Sequence, residues 1–132
     1  MGREQSVILV DDDPAMLDLY GRGLELAGYR VTQLGDAESL FQALARELPA
    51  VVVLDWDLRG LTGSDILRML REDERTAHLA VFMLSNHSSL GDNAEVDAIR
   101  AGAIAWLVKA RTTPGQLADE IGDVFAREQK AG

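Results

Sequence analysis

The chain contains no cysteine and no long apolar run. Without cysteine, neither a disulfide nor a thiolate metal site can form, and the composition is compatible with a reducing cytosol. The first residues lack the apolar stretch of a signal peptide, and no apolar run approaches the roughly 18 residues of a membrane span. We therefore expect a cytoplasmic protein that does not associate with a membrane.

Positive charge is also scarce, with 13 basic against 22 acidic residues and a net charge of −9. Such an acidic chain is poorly suited to binding a phosphate backbone, so we expect no nucleic-acid partner. Part of the negative charge would be explained by a metal site, whose acidic residues stay uncompensated until a cation binds. At 132 residues the chain is long enough for one domain with a proper hydrophobic core.

Short, β-branched apolar runs alternate with amphipathic helical segments along the whole chain. This alternation predicts an α/β fold: a doubly wound, flavodoxin-like parallel sheet of five strands in the order 2-1-3-4-5, with five helices. The predicted strands are 7–10, 29–34, 51–54, 80–84 and 104–108, and the predicted helices are 14–27, 36–47, 63–73, 94–101 and one that begins at 113–114.

Local signals mark the ends of these segments. Asp13 and Pro14 suit the N-cap and first position of the first helix, and Gly28 suits its C-cap. After the last helix we expect only a short polar tail from Arg127. The predicted organisation is thus one domain over 6–127, short tails at 1–5 and 128–132, and no output domain.

Acidic residues follow two of the predicted strands directly. Asp11 and Asp12 come after the strand at 7–10, and Asp55 comes after the strand at 51–54. In an open parallel sheet, ligands bind at the carboxyl ends of the strands, so these carboxylates can converge there. Converging carboxylates repel unless a cation joins them, and oxygen ligands suit Mg²⁺. Lys109, after the fifth strand, can bring a positive charge to the same edge.

Several short motifs together resemble the receiver domain of bacterial response regulators, in its single-domain, chemotaxis-regulator-like form. They are residues 9–14 (Leu-Val-Asp-Asp-Asp-Pro), residues 54–58 (Leu-Asp-Trp-Asp-Leu) with Gly63, then Ser85, and residues 107–109 (Leu-Val-Lys). The resemblance implies a domain that accepts a phosphoryl group from a histidine kinase or phosphotransfer protein onto one aspartate. The domain then switches a surface that binds a downstream protein target.

The resemblance also implies roles for the acidic residues. Asp55 matches the phosphoacceptor, a carboxylate nucleophile that forms an acyl phosphate. Asp12 matches a direct Mg²⁺ ligand, and Asp11 the acid that holds the ion through water. Asp55 belongs to the same metal site, and Asp57 matches the position whose backbone carbonyl binds the metal. The implied cofactor is Mg²⁺, which neutralises charge on the transferring phosphoryl group.

Further roles follow from the same resemblance. Lys109 matches the lysine that pairs with the phosphoryl oxygens, and Ser85 the hydroxyl that hydrogen-bonds the phosphoryl group. Trp106 matches the switch aromatic whose rotamer follows the movement of Ser85. His87 lies where receivers often place a side chain over the phosphorylation site. As a hypothesis, Asp57 and His87 set the lifetime of the phosphoryl group; unchanged dephosphorylation in Asp57→Asn and His87→Ala variants would rule this out.

The chain departs from the receiver pattern at two prolines. Arg59 replaces the proline four residues after the phosphoacceptor, and Ala110 replaces the proline that follows the lysine through a cis peptide. A cis bond before a non-proline residue costs about 2.5–4 kcal/mol. We therefore predict that the Lys109–Ala110 bond is trans and that the loop is rerouted, which would put the placement of Lys109 in doubt.

A third departure is length, because the segment 85–102 is about two residues longer than in a typical receiver. It lies on the surface that receivers use for signalling, so we predict altered partner recognition there. By the same resemblance, homodimerisation through the last two helices and the fifth strand is possible.

Three functions stay open at this point. The first is a stand-alone receiver, which accepts a phosphoryl group but is not an enzyme with an independent substrate. The second is a Mg²⁺-dependent aspartyl phosphohydrolase, because Asp55 and Asp57 have the two-acid spacing of such enzymes; the short chain and the missing cap domain argue against it. The third is a degenerate receiver that acts as a constitutive interaction module, which Arg59 and Ala110 keep open.

Overall fold

A computed structural model describes residues 5–86 and 93–131, with side chains through residue 127. Five parallel strands form one sheet in the predicted order, β2-β1-β3-β4-β5. The strands are β1 (Ser6–Val10), β2 (Arg30–Leu34), β3 (Val51–Asp55), β4 (Ala80–Ser85) and β5 (Ala105–Val108). The helices are α1 (Pro14–Leu26), α2 (Ala37–Arg46), α3 (Gly63–Glu72), α4 (Ala94–Arg100) and α5 (Pro114–Ala131), and a 3₁₀ turn covers Lys109–Arg111.

The helices cover the sheet on both faces, as the predicted doubly wound fold requires. Helices α1 and α5 pack on one face, where Tyr20, Leu24 and Leu117 meet side chains such as Phe82. Helices α2, α3 and α4 pack on the other face, where Leu40 contributes to the second core. Strand β3 is buried along its whole length because both of its faces are covered. The edge strand β2 is largely exposed, as its amphipathic sequence indicates.

The register brings the carboxyl ends of four strands to one edge. Val10 of β1 pairs with Leu54 of β3, so Asp11 and Asp55 are the next residues of neighbouring strands. Ser85 of β4 pairs with Val108 of β5, which places Lys109 one residue beyond the ladder. The chemistry-bearing residues are therefore delivered together by strand length and pairing alone.

The predicted ends of α1 are confirmed. The Asp13 side chain accepts a hydrogen bond from the N–H of Ala15 at 2.9 Å, and Pro14 occupies the first helical turn. Gly28 follows the helix with a φ of 102°, a left-handed conformation that glycine adopts without a Cβ clash.

One predicted boundary is wrong by several residues, and the others differ from the structure by at most one residue. The polar tail expected from Arg127 is instead part of α5, which continues to Ala131. Residues 126–131 are all reasonable helix formers, and the chain has no glycine or proline there until Gly132, so nothing in this stretch ends the helix. The fifth strand begins at Ala105 and not at Ile104, whose side chain is 39% exposed.

Among the helices in the described part of the chain, none has the length and apolar character needed to cross a bilayer. The predictions for His87 and for the lengthened segment fall largely on 87–92, which lie outside the described residues, as do residues 1–4.

Candidate functional site: an acidic cluster with a buried lysine

Three aspartates converge at the carboxyl edge of the sheet. Asp11, Asp12 and Asp55 each offer a carboxylate oxygen within 4.8 Å of the other two. Asp11 and Asp55 are only 1% and 2% exposed, whereas Asp12 faces solvent. Two of the three carboxylates are thus removed from water, at a desolvation cost that only a nearby cation offsets well.

Lys109 supplies a cation to this cluster. Its side chain is buried, and its Nζ lies 2.7 Å from Asp11 Oδ2 and 3.5 Å from Asp55 Oδ1. The Lys109–Ala110 bond is trans, as predicted, and the chain continues as a 3₁₀ turn. This route leaves Lys109 at the cluster, contrary to the concern raised by Ala110. Burial alone would lower the pKa of Lys109, but its contacts with Asp11 and Asp55 raise that pKa overall.

The carboxyl group of Asp55 is held in an unfavourable environment. Burial is the largest cause and raises the pKa of Asp55 to about 6, helped by the charge of Asp11. The Asp57 N–H donates to Asp55 Oδ1 at 3.1 Å, and this bond together with the charge of Lys109 opposes the rise. A buried carboxylate that has a raised pKa and is paired with a specific cation is typical of a functional site.

The donor set fits a hard divalent cation. All three carboxylates offer oxygen, which Mg²⁺ prefers, and Lys109 balances only one of their three negative charges. Asp11 Oδ2 is buried, and its contact with Lys109 Nζ at 2.7 Å uses the charge of that lysine. A bound cation would relieve the negative charge that remains.

Two other predicted residues lie beside the cluster. Asp57 follows β3 in the loop that leads to α3, and its backbone contacts Asp55 as described above. Ser85 ends β4 and is completely buried, and it lies beside Val108 in the sheet register. Their assigned roles toward metal and phosphoryl group stay predictions.

Trp106 lies in the middle of β5 and is 8% exposed. Its ring packs edge-on against Trp56, with centroids 4.8 Å apart. Its indole Nε1 is buried without a hydrogen-bond partner among the described residues. Trp56 directly follows Asp55, so this contact joins the loop after β3 to the strand β5.

Sequence reasoning did not find three features of the site. It did not find the Trp56–Trp106 contact. It did not find the contact of the Tyr20 hydroxyl with the loop after β5. It noted Arg59 only as a replacement for proline, whereas Arg59 Nε lies 3.6 Å from Asp12 Oδ2. A tyrosine on an otherwise apolar helix face was the available signal for the second, because a buried phenol needs a polar partner.

Known proteins are similar to this chain in sequence. The family model described as the response regulator receiver domain matches residues 7–121. The chain is 36% identical over 106 residues to the C4-dicarboxylate transport transcriptional regulatory protein DctD of Pseudomonas aeruginosa. The aligned region covers 80% of this chain and 22% of that protein. It is 38% identical over 104 residues to the DNA-binding dual master transcriptional regulator RpaA of Synechocystis. That alignment covers 78% of this chain and 42% of RpaA. The chain thus spans less than half the length of these relatives.

Solved structures share the fold. A receiver domain protein described as CheY-like, from Methanospirillum hungatei JF-1, superposes with a TM-score of 0.85 at 25% identity, covering 97% of this chain and 98% of that one. A putative response regulator from Chloroflexus aurantiacus superposes with a TM-score of 0.81 at 27% identity, covering 92% and 98%. The match of the family model to residues 7–121, most of the sequence, shows that this chain belongs to the response regulator receiver domain family.

Proposed function

We propose that this protein accepts a phosphoryl group on Asp55 in a Mg²⁺-dependent reaction and acts in two-component signal transduction. The observation that carries the proposal is the convergence of Asp11, Asp12 and Asp55 within 4.8 Å, with Lys109 Nζ 3.5 Å from Asp55. A carboxylate nucleophile, a set of oxygen ligands and a fixed cation are the parts that phosphoryl transfer needs.

Each residue of the cluster has a distinct task in this proposal. Asp11, Asp12 and Asp55, with the backbone carbonyl of Asp57, would hold Mg²⁺. When bound, the ion would neutralise charge on the phosphoryl group and align it. An oxygen of Asp55 attacks phosphorus, the bond from phosphorus to the donor's leaving atom breaks, and the donor leaves with that electron pair. The product is an acyl phosphate on Asp55.

Lys109 and Ser85 would bind the product. The ammonium of Lys109 already lies within reach of both buried carboxylates, so a phosphoryl oxygen on Asp55 would find a cation in place. Ser85 would donate its hydroxyl to another phosphoryl oxygen. The presence of Lys109 at the cluster argues against a degenerate receiver, because the loop change at Ala110 has not removed this charge.

The proposed donor is a histidine kinase or a phosphotransfer protein, and the proposed readout is a surface that binds a downstream protein. The Trp56–Trp106 contact supports such a readout, because it links the loop beside Asp55 to β5. In this proposal the protein turns over no independent substrate. It would act in the cytoplasm.

The test is phosphorylation by acetyl phosphate, a small donor that needs no kinase. Purified protein is incubated with acetyl phosphate and Mg²⁺, and intact mass is followed with time. We expect a gain of one phosphoryl group in the wild type and none in Asp55→Asn or in excess EDTA.

Asp57→Asn is the matched control, because it removes the neighbouring acid of the same loop while leaving the acceptor. This variant should still take up one phosphoryl group. A mass gain that persists in Asp55→Asn would place the modification elsewhere and refute the assignment of Asp55. Sustained hydrolysis of a generic phosphate ester would instead favour the phosphohydrolase.

A further inference from the structure

The loop after β5 is held by a side chain from a distant helix. The hydroxyl of Tyr20, in the middle of α1, lies 2.7 Å from the carbonyl oxygen of Thr112 and 3.2 Å from that of Lys109. These contacts join residues 92 and 89 positions apart in the chain. One hydroxyl proton therefore serves two carbonyl oxygens at the two ends of the 3₁₀ turn.

The hydrogen bond that closes this turn, from the N–H of Thr112 to the carbonyl oxygen of Lys109, is long at 3.4 Å. A three-residue 3₁₀ turn has weaker hydrogen-bond geometry than an α-helix. The Tyr20 hydroxyl therefore supplies the shorter and more buried anchor.

Tyr20 is well suited to hold a fixed position. Its side chain is 2% exposed within the core between α1, α5 and the sheet. One turn further along α1, a Cβ on Gly23 would collide with the Cβ of Pro114, so the helix lies directly against the start of α5. A phenol is protonated at neutral pH, and burial raises the pKa of Tyr20 further, so its hydroxyl is a hydrogen-bond donor there.

The backbone that Tyr20 holds includes Lys109, the residue whose ammonium is the cation of the site. The carbonyl oxygen that Tyr20 contacts and the Nζ that contacts Asp11 and Asp55 both belong to Lys109. A shift of this backbone would carry the ammonium away from the two carboxylates, and small displacements of charged groups cost much in rate.

We propose that Tyr20 is a positioning residue: its hydroxyl fastens residues 109–112 and thereby keeps the Lys109 ammonium between Asp11 and Asp55. This inference rests on the proposed function for its kinetic consequence, but its structural part can be measured without activity.

The first test observes Lys109 directly. The chain has two lysines, Lys109 and Lys130, so protein made with isotope-labelled lysine gives two side-chain signals by NMR, assigned with a Lys130→Arg variant. In metal-free Tyr20→Phe, which keeps the ring, we expect the Lys109 signal to move and the Lys130 signal to stay. Tyr29→Phe is the control, because it also removes one phenol hydroxyl. The Tyr29 ring packs against Phe125, on the same face of the sheet as Tyr20. An unmoved Lys109 signal in folded Tyr20→Phe would overturn the inference.

The second test is a double-mutant cycle on the rate of phosphoryl uptake from acetyl phosphate at saturating Mg²⁺. Tyr20→Phe should be slower than wild type by about tenfold, whereas Tyr29→Phe should match wild type. If Tyr20 acts through Lys109, adding Tyr20→Phe to Lys109→Ala should slow uptake no further. Thermal unfolding of each variant checks that it is folded.

The outcomes separate the two proposals. Equal slowing by Tyr20→Phe in both backgrounds would show a general structural role and overturn the positioning role. Wild-type uptake in Tyr20→Phe would do the same while leaving the proposed function intact. No uptake by the wild type would refute the proposed function, and the NMR result would then decide the position of Lys109 by itself.

Discussion

The interior of the sheet and its carboxyl edge bury their side chains equally but with opposite energetic effect. In β3 the apolar residues Val51–Leu54 are fully buried, and Asp55, the next residue, is only 2% exposed. Burying each apolar side chain stabilises the fold by about 1.5–3 kcal/mol. Burying the Asp55 carboxylate costs free energy, which its raised pKa reports.

The difference shows that the interior of the sheet provides stability, whereas its carboxyl edge provides the functional site. The interior stabilises the sheet strongly enough to hold Asp11, Asp55 and Lys109 in an arrangement that the unfolded chain would not favour. The edge keeps negative charge that the fold alone does not neutralise. This excess charge attracts a cation, and the cation can in turn neutralise a phosphoryl group. Stability and function are therefore expected to respond in opposite directions to changes at the two regions.

The largest effect on stability is expected in the interior. Phe82 is completely buried in β4, and Phe82→Ala should lower the free energy of unfolding by about 3–5 kcal/mol, since it leaves a cavity that the core cannot fill. Urea denaturation measures this change. Met69→Ala is the control, because Met69 is 43% exposed on α3 and should change stability by less than about 0.5 kcal/mol. Equal losses in the two variants would contradict the assignment of the core.

At the edge, removing a charge should stabilise the fold. In EDTA at pH 7, Asp55→Asn should raise the free energy of unfolding by about 1–2 kcal/mol, because a neutral amide avoids the desolvation and repulsion of the buried carboxylate. The same substitution abolishes phosphoryl uptake in the proposed mechanism. Asp57→Asn, in the adjoining loop, should show a smaller change. A clear loss of stability in Asp55→Asn would mean that the ion pair with Lys109 outweighs the cost of burial.

The pH dependence sharpens the same comparison. The pKa of Asp55 is about 6 in the folded protein against 3.8 for the ordinary group, so between these values the folded state binds the proton more tightly. The penalty of ionised Asp55 is therefore absent below about pH 4, grows between pH 4 and pH 6, and has its full value above about pH 6. We expect the stability advantage of Asp55→Asn to shrink as metal-free protein is taken from pH 7 toward pH 4. An advantage that is constant with pH would exclude titration of Asp55 as its cause.

The smallest effect concerns the exposed rim of the cluster. Arg59 Nε lies 3.6 Å from Asp12 Oδ2, and the Arg59 side chain is 95% exposed. Arg59→Ala should tighten Mg²⁺ binding by about two- to threefold at low salt, because the guanidinium competes weakly for Asp12. Tryptophan fluorescence through Trp56 follows the titration.

Arg68→Ala is the control for the Arg59 variant, because Arg68 pairs with Asp65 on α3, in a separate ion pair. About 0.5 M salt should remove the difference between Arg59→Ala and wild type. A persistent difference at high salt would point to a change in loop structure, with electrostatic competition excluded.

Most of the fold could be predicted from the sequence because each strand is a short apolar run between clear turn signals. The convergence of Asp11, Asp12 and Asp55 could also be predicted, since it needs only the strand ends and their order. The contacts of Tyr20 with Thr112, of Trp56 with Trp106 and of Arg59 with Asp12 could not. Each depends on how two separate elements pack, and neither periodicity nor spacing contains that information. The end of α5 was missed because a run of polar residues is compatible with both helix and tail.

The most direct test compares two Mg²⁺ titrations on the same wild-type protein: tryptophan emission, and the initial rate of mass gain from acetyl phosphate. If the acids at the edge hold the ion that phosphorylation of Asp55 requires, both curves reach half-saturation at the same Mg²⁺ concentration, and Asp12→Asn moves both upward together. Phosphoryl uptake that proceeds in EDTA would contradict the account. So would an uptake rate that stays constant over the Mg²⁺ concentrations at which fluorescence reports binding.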